Sequence, residues 1–293
     1  MKGGAVKVLI TGAGGQVGQA LLKSAPQDVQ TVACTHKDLD ISDATAVAEC
    51  IGRVKPGVII NAAAYTAVDR AESEPDNARR INSSGPQYLA RAARDSGARL
   101  VHISTDFVFA GNSSTPYLPD APTAPLNVYG LTKRDGEDAV LKELPENSVV
   151  LRTAWVYAAE GANFVRTMLR VMRAQGAVKV VADQIGTPTS AGSVAEGIWK
   201  IVAQPALEGL HHWTDAGVAS WYDFAVAIAE EGAQLRLVSP EVTVTPIATY
   251  QYPTPAVRPK YGVLDTSSLA SLRTNPVHWR TRLRGVLGEM QNA

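Results

Sequence analysis

Residues 6–18 read VKVLITGAGGQVG, a short apolar run that passes directly into a glycine-rich turn. The first six of these residues have the length and composition of a buried strand, and a helical pattern follows the turn. Between them, Gly12, Gly15 and Gly18 form the pattern Gly-x-x-Gly-x-x-Gly. Glycines in such a turn let the backbone approach a pyrophosphate closely, and the helix N-terminus offers unpaired amide donors. This stretch therefore predicts a dinucleotide site at the first strand–helix turn.

The alternation of strand and helix continues through about the first 155 residues. Apolar runs of strand length alternate with longer helical stretches, and Pro56, Gly97 and Pro145 stand where helices are expected to end. This alternation is typical of βαβ units around a parallel sheet. We therefore predict an α/β fold with a Rossmann-type doubly wound sheet. The further expected strands are 29–33, 58–61, 100–104 and 149–153, and the expected helices are 43–54, 74–96 and 130–144.

The pattern becomes mixed after Trp155, which indicates a smaller C-terminal substrate-binding lobe. We predict a dinucleotide-binding domain in residues 1–160 and a lobe formed mainly by residues 161–293. A later strand such as Val178 to Val181 could return to the first sheet, so the boundary need not be a single cut. The expected helices here are 163–175, 193–203, 220–231 and 278–290, with strands at 178–181 and 209–214 and a proline-rich stretch at 240–259.

Composition narrows the class of protein. The 293 residues include 28 basic and 28 acidic side chains, and no dense Lys/Arg block predicts binding to nucleic acid or to a membrane surface. Cys34 and Cys50 have no metal-ligand spacing, so we expect reduced, buried thiols. The first apolar run is too short for a secretory signal or a membrane span. These features predict a cytoplasmic location.

Two sets of polar residues indicate redox chemistry on a carbonyl: Tyr129 with Lys133, and Ser104-Thr105-Asp106. Tyr129 and Lys133 lie four residues apart, which places them on one face of a helix, where an ammonium can stabilise a phenolate. Taken alone, the pair is also compatible with a solvated helix surface. Ser104-Thr105-Asp106 ends an expected strand, either as capping residues or as groups that point into the ligand crevice. A hydroxyl, a tyrosine and a lysine can polarise a carbonyl and donate a proton while a nicotinamide delivers hydride.

The end of the second strand bears on the choice of cofactor. Its sequence, Thr35-His36-Lys37-Asp38, contains both a basic group suited to a 2′-phosphate and an acid suited to a 2′-hydroxyl. His36 and Lys37 favour NADPH over NADH, unless they belong to a solvated loop. We expect Asp40 and Ile41 to flank the adenine. His211-His212 has no third ligand at a metal spacing, so we interpret it as part of a strand and predict no metal site.

The glycine loop, the hydroxyl and Tyr-x-x-x-Lys occur in the order typical of the extended short-chain dehydrogenase/reductase family, which this chain resembles. Further segments, including NAAAYTAVD at 61–69 and STDFVF at 104–109, resemble the dTDP-4-dehydrorhamnose reductase family. That family reduces the 4-keto group of a dTDP-6-deoxy-L-lyxo-4-hexulose with NAD(P)H. The other matching segments are 71–74, 125–130, 152–157, 183–184, 188–189, 252–255 and 258–259.

The resemblance implies a role for each matching residue. Tyr129 would donate a proton to the C4 oxygen, Lys133 would bind the nicotinamide ribose and keep the tyrosine pKa low, and Thr105 would orient the carbonyl. The implied cofactor contacts are Gln16, Val17 and Gly18 at the pyrophosphate, with Ala62, Ala63 and Ala64 along the cofactor. The implied contacts with the dTDP-sugar are Val68, Thr105, Asp106 and Trp155, with Arg258 at the diphosphate. By sequence alone, Trp155 is equally compatible with a core position and Arg258 with an exposed loop.

Two positions depart from the family pattern. Some members use Mg²⁺ at a homodimer contact through two glutamates, and this chain has Ala20 and Gly192 at those places, which puts a role for Mg²⁺ in question. A serine that often follows the family's Arg-Pro segment is absent from Lys260-Tyr261-Gly262. The alternatives to the main hypothesis are another dTDP-4-keto-6-deoxysugar reductase, or a non-catalytic nucleotide-binding regulatory subunit. An epimerase or dehydratase is disfavoured because Phe107 follows Asp106 where a dehydratase would carry a glutamate.

Overall fold

The computed structural model describes residues 6–292 and contains alternating strands and helices. The strands are β1 (Val6–Thr11), β2 (Val29–Cys34), β3 (Val58–Asn61), β4 (Arg99–Thr105), β5 (Ser148–Thr153), β6 (Val156–Tyr157), β7 (Ala177–Val181), β8 (Ile185–Gly186), β9 (Thr189–Ser190), β10 (Gly209–His212), β11 (Ala219–Ser220) and β12 (Thr243–Ile247). The helices are α1 (Gln16–Lys23), α2 (Ala44–Val54), α3 (Val68–Ala71), α4 (Pro75–Arg79), α5 (Gly85–Ser96), α6 (Val128–Glu143), α7 (Phe164–Gln175), α8 (Ala191–Val202), α9 (Trp221–Gln234) and α10 (Trp279–Gln291).

Six strands of the described chain form one parallel sheet in the order β2-β1-β3-β4-β5-β10. The strand order reverses at β1, because the chain continues outward from β1 on one side to β2 and on the other to β3. Ligands of open α/β sheets bind in the crevice at the carboxyl ends of the strands beside such a reversal. The arrangement confirms the predicted α/β fold with a Rossmann-type doubly wound sheet and places the glycine turn at that crevice.

The proposed return of Val178 to Val181 to this sheet is wrong. The corresponding strand β7 pairs in parallel with β12 in a separate two-stranded sheet, and β10 is the later strand that returns, beside β5. The burial of β7 explains the difference, because Ala177 and Lys179 are exposed, whereas strands of a sheet covered on both faces are buried on both sides. The strand β12 lies inside the stretch that the sequence marked only as proline-rich.

Helices cover both faces of the large sheet. On one face, α1 and α8 enclose a core that includes Leu21 and Ile198, and on the other, α2 and α5 enclose a core that includes Ile51 and Leu89. A third core, with Phe224 at its centre, joins α7, α9 and α10 in the C-terminal part. The domain boundary at residue 160 stays a prediction. Two elements that follow this residue belong with the first sheet, because β10 pairs with β5 and α8 packs on one face.

One expected helix is interrupted. The stretch predicted as a single helix at 74–96 contains α4, a π-helical turn at Arg80–Ser84, and α5. Asn82 in this turn is buried, accepts a hydrogen bond from Tyr65 N at 2.8 Å and donates to Tyr65 O at 3.0 Å. The π-turn thereby fixes the backbone that follows β3. Cys34 and Cys50 are buried free thiols, as predicted. None of the helices formed by residues 6–292 is long and apolar enough to cross a membrane.

Candidate active site

The glycine turn follows the carboxyl end of β1 and packs against the residues that follow β3. Gly12 has φ +67°, and a Cβ atom there would overlap the backbone of Ala62 and Ala63, so only glycine fits. Ala62, Ala63 and Ala64 are half-buried and begin directly after β3. Three of the residues predicted to line a cofactor are therefore adjacent to the turn.

The N-terminus of α1 suits an anionic group. Gly15 is its N-cap, and within residues 6–292 no side chain caps the helix and no acidic residue lies in its first turn. In contrast, a side-chain oxygen accepts a hydrogen bond from a first-turn amide in each of five other helices, namely α2, α6, α7, α8 and α9. The amides of Gln16, Val17 and Gly18 thus remain available to the pyrophosphate of a dinucleotide. The residues present fit such a cofactor.

A buried polar network links the ends of β1 and β3 to the middle of β4. The Asn61 Oδ1 atom accepts hydrogen bonds from Thr11 Oγ1 at 2.7 Å and from Ala63 N at 3.1 Å. The Asn61 amide also lies 3.0 Å from His102 Nδ1 on β4. Sequence reasoning did not identify Thr11 or His102, because their partners are distant along the chain. The network holds the glycine turn in register with the strand that carries Thr105.

The end of β2 differs in detail from the expectation. Lys37 is exposed, while the Asp38 carboxylate accepts hydrogen bonds from Thr35 N and Thr35 Oγ1 at 2.9 and 2.6 Å, which lower its pKa. Asp40 accepts hydrogen bonds from the Ser42 amide and hydroxyl. The Ile41 side chain is buried in the core, so only its backbone is available to a ligand. The roles of Lys37, Asp40 and Ile41 at the cofactor stay predictions.

Thr105 ends β4 and begins a short 3₁₀ turn at Asp106–Val108. Its hydroxyl accepts a hydrogen bond from Phe107 N at 3.2 Å and donates one to Asp106 Oδ1 at 3.0 Å. Thr105 is therefore a capping residue, and it also belongs to the cluster of polar groups at this strand end. Burial raises the pKa of Asp106 to about 7, although the Thr105 hydroxyl lowers it.

The Tyr129–Lys133 pair lies on α6, as its spacing predicts. Asn127 caps this helix by accepting a hydrogen bond from Gly130 N at 2.7 Å. A Cβ atom on Gly130 would overlap the Phe107 carbonyl oxygen, so glycine at this position allows the helix to start directly against the 3₁₀ turn. The Tyr129 ring packs edge-on against Phe107 at a centroid distance of 5.5 Å. The structure thus brings Thr105, Asp106, Tyr129 and Lys133 into one cluster.

The pKa of Tyr129 differs from the expectation. Burial raises it to about 12, the Thr105 hydroxyl lowers it, and the nearby Asp106 raises it. Lys133 is not among the groups that shift the pKa of Tyr129, and its ammonium donates a hydrogen bond to Ile103 O at 2.7 Å. Burial also lowers the pKa of Lys133 to about 8, against the opposing effect of Glu137.

A buried ion pair fastens α6 to β5 one turn after Lys133. Arg152 on β5 donates to both oxygens of Glu137, at 2.9 and 2.6 Å, and to Pro119 O at 3.0 Å. The two side chains are 3% and 2% exposed. The pair therefore holds α6 against the sheet.

Arg152→Met is expected to lower the free energy of unfolding by about 3–5 kcal/mol, because the Glu137 carboxylate would stay buried without a partner. Thermal and urea unfolding followed by circular dichroism would measure this loss. The control is Lys23→Met, which removes an exposed 3.4 Å ion pair with Glu289 and should cost less than about 1 kcal/mol. Equal losses in the two variants would contradict the structural role of the Arg152–Glu137 pair.

Arg258 lies near the segment that carries Val68. Its guanidinium donates to both oxygens of Asp69, at 3.1 and 2.8 Å, and to Thr254 Oγ1 at 2.6 Å. Asn127 binds the neighbouring backbone through a 2.7 Å hydrogen bond from Nδ2 to Val257 O. The loop around Arg258 is therefore attached both to α3 and to the start of α6. Asp69 was missed as a positioning residue, although its place beside Val68 offered a signal.

Trp155 follows the end of β5, next to the strand end that carries Thr105. It has φ +47°, an unusual backbone conformation for a bulky residue, and its half-buried ring stacks on Trp221 at a centroid distance of 3.5 Å and an interplanar angle of 6°. Trp221 begins α9 of the C-terminal lobe. The stack joins the sheet to that lobe, and nothing in the sequence identified Trp221 as the partner.

Two positions bear on the binding of a metal ion. Ala20 lies on α1, and Gly192 lies at the start of α8 with open space around its Cα atom. Among residues 6–292, no group of three or more His, Cys, Asp or Glu is placed to hold a metal ion. His211 and His212 belong to β10, as predicted, and His212 Nδ1 lies 2.9 Å from Asp265 O.

The chain is similar to known proteins over nearly its whole length. The chain matches the family model described as the RmlD substrate binding domain over residues 6–292. A dTDP-4-dehydrorhamnose reductase from Streptomyces griseus is 41% identical over 281 residues, which cover 94% of this chain and 91% of that protein. A probable dTDP-4,6-dihydroxy-2-methyloxan-3-one 4-ketoreductase from Streptomyces antibioticus is 42% identical over 279 residues, with 94% and 92% covered. The crystal structure of dTDP-4-dehydrorhamnose reductase from Bacillus anthracis str. Ames in complex with NADP has a TM-score of 0.90 and 34% identity, with 97% of this chain and 99% of that chain covered.

Proposed function

The chain belongs to the RmlD substrate-binding domain family, and on that premise we propose that it is a nicotinamide-dependent oxidoreductase that makes dTDP-L-rhamnose. Its substrate is dTDP-4-dehydro-6-deoxy-L-mannose (dTDP-4-dehydro-L-rhamnose), whose C4 keto group is reduced. The observation that carries this proposal is the cluster of Thr105, Tyr129 and Lys133 at the crevice of a dinucleotide-binding sheet. Relatives that match nearly the whole chain are reductases of dTDP-linked keto sugars.

We propose a division of roles among the catalytic residues. A nicotinamide dinucleotide held at the N-terminus of α1 and by Lys133 would supply the hydride for reduction of the C4 carbonyl. The Thr105 hydroxyl orients the C4 carbonyl, and Tyr129 Oη donates a proton to the C4 oxygen as negative charge develops there. Since the pKa of Tyr129 is about 12, the phenol is fully protonated at neutral pH before the reaction.

Lys133 has two functions in this scheme. Its pKa of about 8 leaves the ammonium predominantly charged at neutral pH. The cation stabilises the phenolate that Tyr129 becomes, and it binds the nicotinamide ribose. The hydrogen bond to Ile103 O holds the side chain along β4.

Four further residues are proposed to bind the sugar nucleotide. Val68 and Arg258 lie in segments that the Asp69 ion pair joins, and Arg258 contacts the diphosphate. Asp106 and Trp155 follow the neighbouring ends of β4 and β5 and contact the sugar. The stack of Trp221 on Trp155 supports the indole at this position.

The direct test combines the purified chain, the dTDP-4-keto sugar and NADPH. We expect the nicotinamide absorbance to fall in step with formation of dTDP-L-rhamnose, identified by NMR. A constant absorbance with no deoxyhexose product would refute the assignment. A product of different configuration would instead support another dTDP-4-keto-6-deoxysugar reductase, the reading favoured by the Streptomyces antibioticus relative.

We also propose a preference for NADPH over NADH. Lys37 is an exposed cation at the end of β2, where the adenosine ribose lies in such folds. Lys37→Glu is expected to lower kcat/KM for NADPH about tenfold, because a charge-assisted hydrogen bond to the 2′-phosphate is replaced by repulsion, with little loss for NADH. Kinetics with both cofactors test this.

The control for Lys37 is Lys55→Glu, an exposed lysine that precedes the opposite, amino end of β3. That variant should keep the wild-type ratio of NADPH to NADH use. Equal losses with both cofactors in Lys37→Glu would contradict a contact with the 2′-phosphate. A homodimer and a cytoplasmic location stay predictions, and a role for Mg²⁺ gains no support from Ala20 and Gly192.

A further inference from the structure

Asn163 joins the C-terminal part of the chain to the helix that follows the glycine turn. It is the N-cap of α7, and its Nδ2 atom donates a hydrogen bond to Gln16 Oε1 at 2.8 Å. Gln16 is half-buried and is the first residue of α1, 147 positions earlier in the chain. A residue of the predicted C-terminal lobe thus contacts a residue of the predicted pyrophosphate site.

The backbone around Asn163 fixes the orientation of its amide. The Oδ1 atom accepts a hydrogen bond from Arg166 N at 3.0 Å, and the Nδ2 atom also donates to Ala158 O at 2.9 Å. A backbone N–H can only donate and a carbonyl oxygen can only accept, so a flipped Asn163 amide would lose both hydrogen bonds. Nδ2 is therefore the atom that faces Gln16.

The orientation of Asn163 determines that of the Gln16 amide. A donor on Asn163 requires the acceptor Oε1 of Gln16, which leaves Gln16 Nε2 with two N–H groups and, within residues 6–292, no acceptor. Gly161 restrains the same side chain, because a Cβ atom on this glycine would lie 3.1 Å from Gln16 Cγ. Gln16 thus adds a side-chain donor to the uncapped amides at the N-terminus of α1.

We propose that Asn163 is a positioning residue that orients the Gln16 amide so that Nε2 donates a hydrogen bond to the pyrophosphate of the dinucleotide. The inference rests on the proposed function, because it requires a nicotinamide dinucleotide at the glycine turn. Pyrophosphate oxygens accept hydrogen bonds, and a donor to a charged acceptor forms one of the stronger hydrogen bonds in proteins. With its amide reversed, Gln16 would present an oxygen to an anion, and this contact would be lost.

The first test is Asn163→Asp, examined by fluorescence titration of NADPH. The variant keeps an oxygen that can cap α7, since Asp and Asn are comparable N-caps, but it replaces the donor by a carboxylate oxygen. The Gln16 amide must then turn Nε2 toward the new carboxylate. We expect the dissociation constant of NADPH to rise about tenfold. At saturating NADPH, kcat should return to within about twofold of the wild-type value, because the catalytic residues are unchanged.

The matched control is Asn147→Asp. Asn147 Nδ2 donates to Ala98 O at 3.0 Å, so this variant makes the same chemical change and also loses a hydrogen bond to a backbone carbonyl. Asn147 directly precedes β5, at the edge of the parallel sheet opposite the glycine turn. Its variant should bind NADPH as the wild type does. Thermal unfolding of both variants measures any loss of stability separately.

A double-mutant cycle distinguishes the orientation of Gln16 from damage to the loop before α7. Gln16→Met alone should also raise the dissociation constant of NADPH about tenfold, because it removes the donor. Adding Asn163→Asp to Gln16→Met should raise it less than about twofold further, because no amide remains to be reversed. Independent effects would instead multiply to about 100-fold. That result would overturn the positioning role and indicate a displaced loop or repulsion by the new carboxylate.

The outcomes separate this inference from the proposed function. If the wild type binds NADPH and reduces the keto sugar, an unchanged NADPH dissociation constant in Asn163→Asp would overturn the positioning role alone. A fall in kcat that saturating NADPH does not reverse would also overturn it. Failure of the wild type to bind NADPH would refute the proposed function and this inference together.

Discussion

Tyr129→Phe is expected to lower kcat by about 10²–10⁴-fold, because the variant keeps the ring and loses the hydroxyl that donates the proton to the C4 oxygen. The affinity for NADPH should change less than about threefold, since the phenol acts in proton transfer and not in nucleotide binding. Steady-state kinetics and fluorescence titration of NADPH measure the two quantities separately. The edge-on contact with Phe107 remains in the variant, so the helix start should be unchanged.

The control for this variant is Tyr157→Phe. Tyr157 is also buried, and its hydroxyl donates to Trp279 O at 3.3 Å in the C-terminal core. It should keep a kcat close to that of the wild type. Parallel losses of turnover and NADPH affinity in Tyr129→Phe would indicate a structural role for the tyrosine and contradict the proposed mechanism.

Lys133→Met should have the second-largest effect. The uncharged side chain can still fill the buried position, but it can neither stabilise the phenolate nor bind the ribose. We expect kcat to fall about 10²-fold and the NADPH dissociation constant to rise. Lys200→Met on α8 removes a half-buried lysine that pairs with Glu196 and should leave both quantities unchanged.

The pH dependence of the wild type tests the same group. The Lys133 amine is charged below its pKa of about 8 and neutral above it. Stabilisation of the phenolate is therefore present below pH 8 and is lost as the pH rises through that value. The wild-type kcat should decline there, and Lys133→Met should lack this decline. An unaltered decline in the variant would assign it to another group.

Local sequence features predicted most of the fold. The bounds of β1 and β3 agree with the expected strands, because short apolar runs bounded by glycine or proline determine their own secondary structure. The partners of a strand depend on contacts far along the chain. For this reason β7 could be located but its pairing with β12 could not, and β12 was missed within a proline-rich stretch.

In the active site, too, local sequence predicted some features, and contacts between distant residues determined the others. The one-face placement of Tyr129 and Lys133 follows from helical spacing, and the position of Thr105 follows from the end of β4. The Asp69–Arg258 pair joins residues 189 positions apart. Such contacts arise only when the chain is folded, as does the stacking of Trp221 on Trp155.

The pKa of Tyr129 shows why chemical environment is hard to deduce from sequence. The family resemblance implies that a lysine one turn away lowers the pKa of a tyrosine. In the folded protein, desolvation raises it, and the ammonium is held by a backbone carbonyl. The pKa that results depends on burial, which cannot be deduced from a single sequence motif.

Deuterium transfer gives the most direct test of carbonyl reduction at C4. The keto sugar would be reduced with NADPH that carries deuterium on the nicotinamide C4 atom, and the product would be examined by NMR. We predict one deuterium at C4 of dTDP-L-rhamnose, with the proton of the new hydroxyl derived from solvent through Tyr129. Deuterium at another carbon, or a product without deuterium, would contradict hydride transfer to C4.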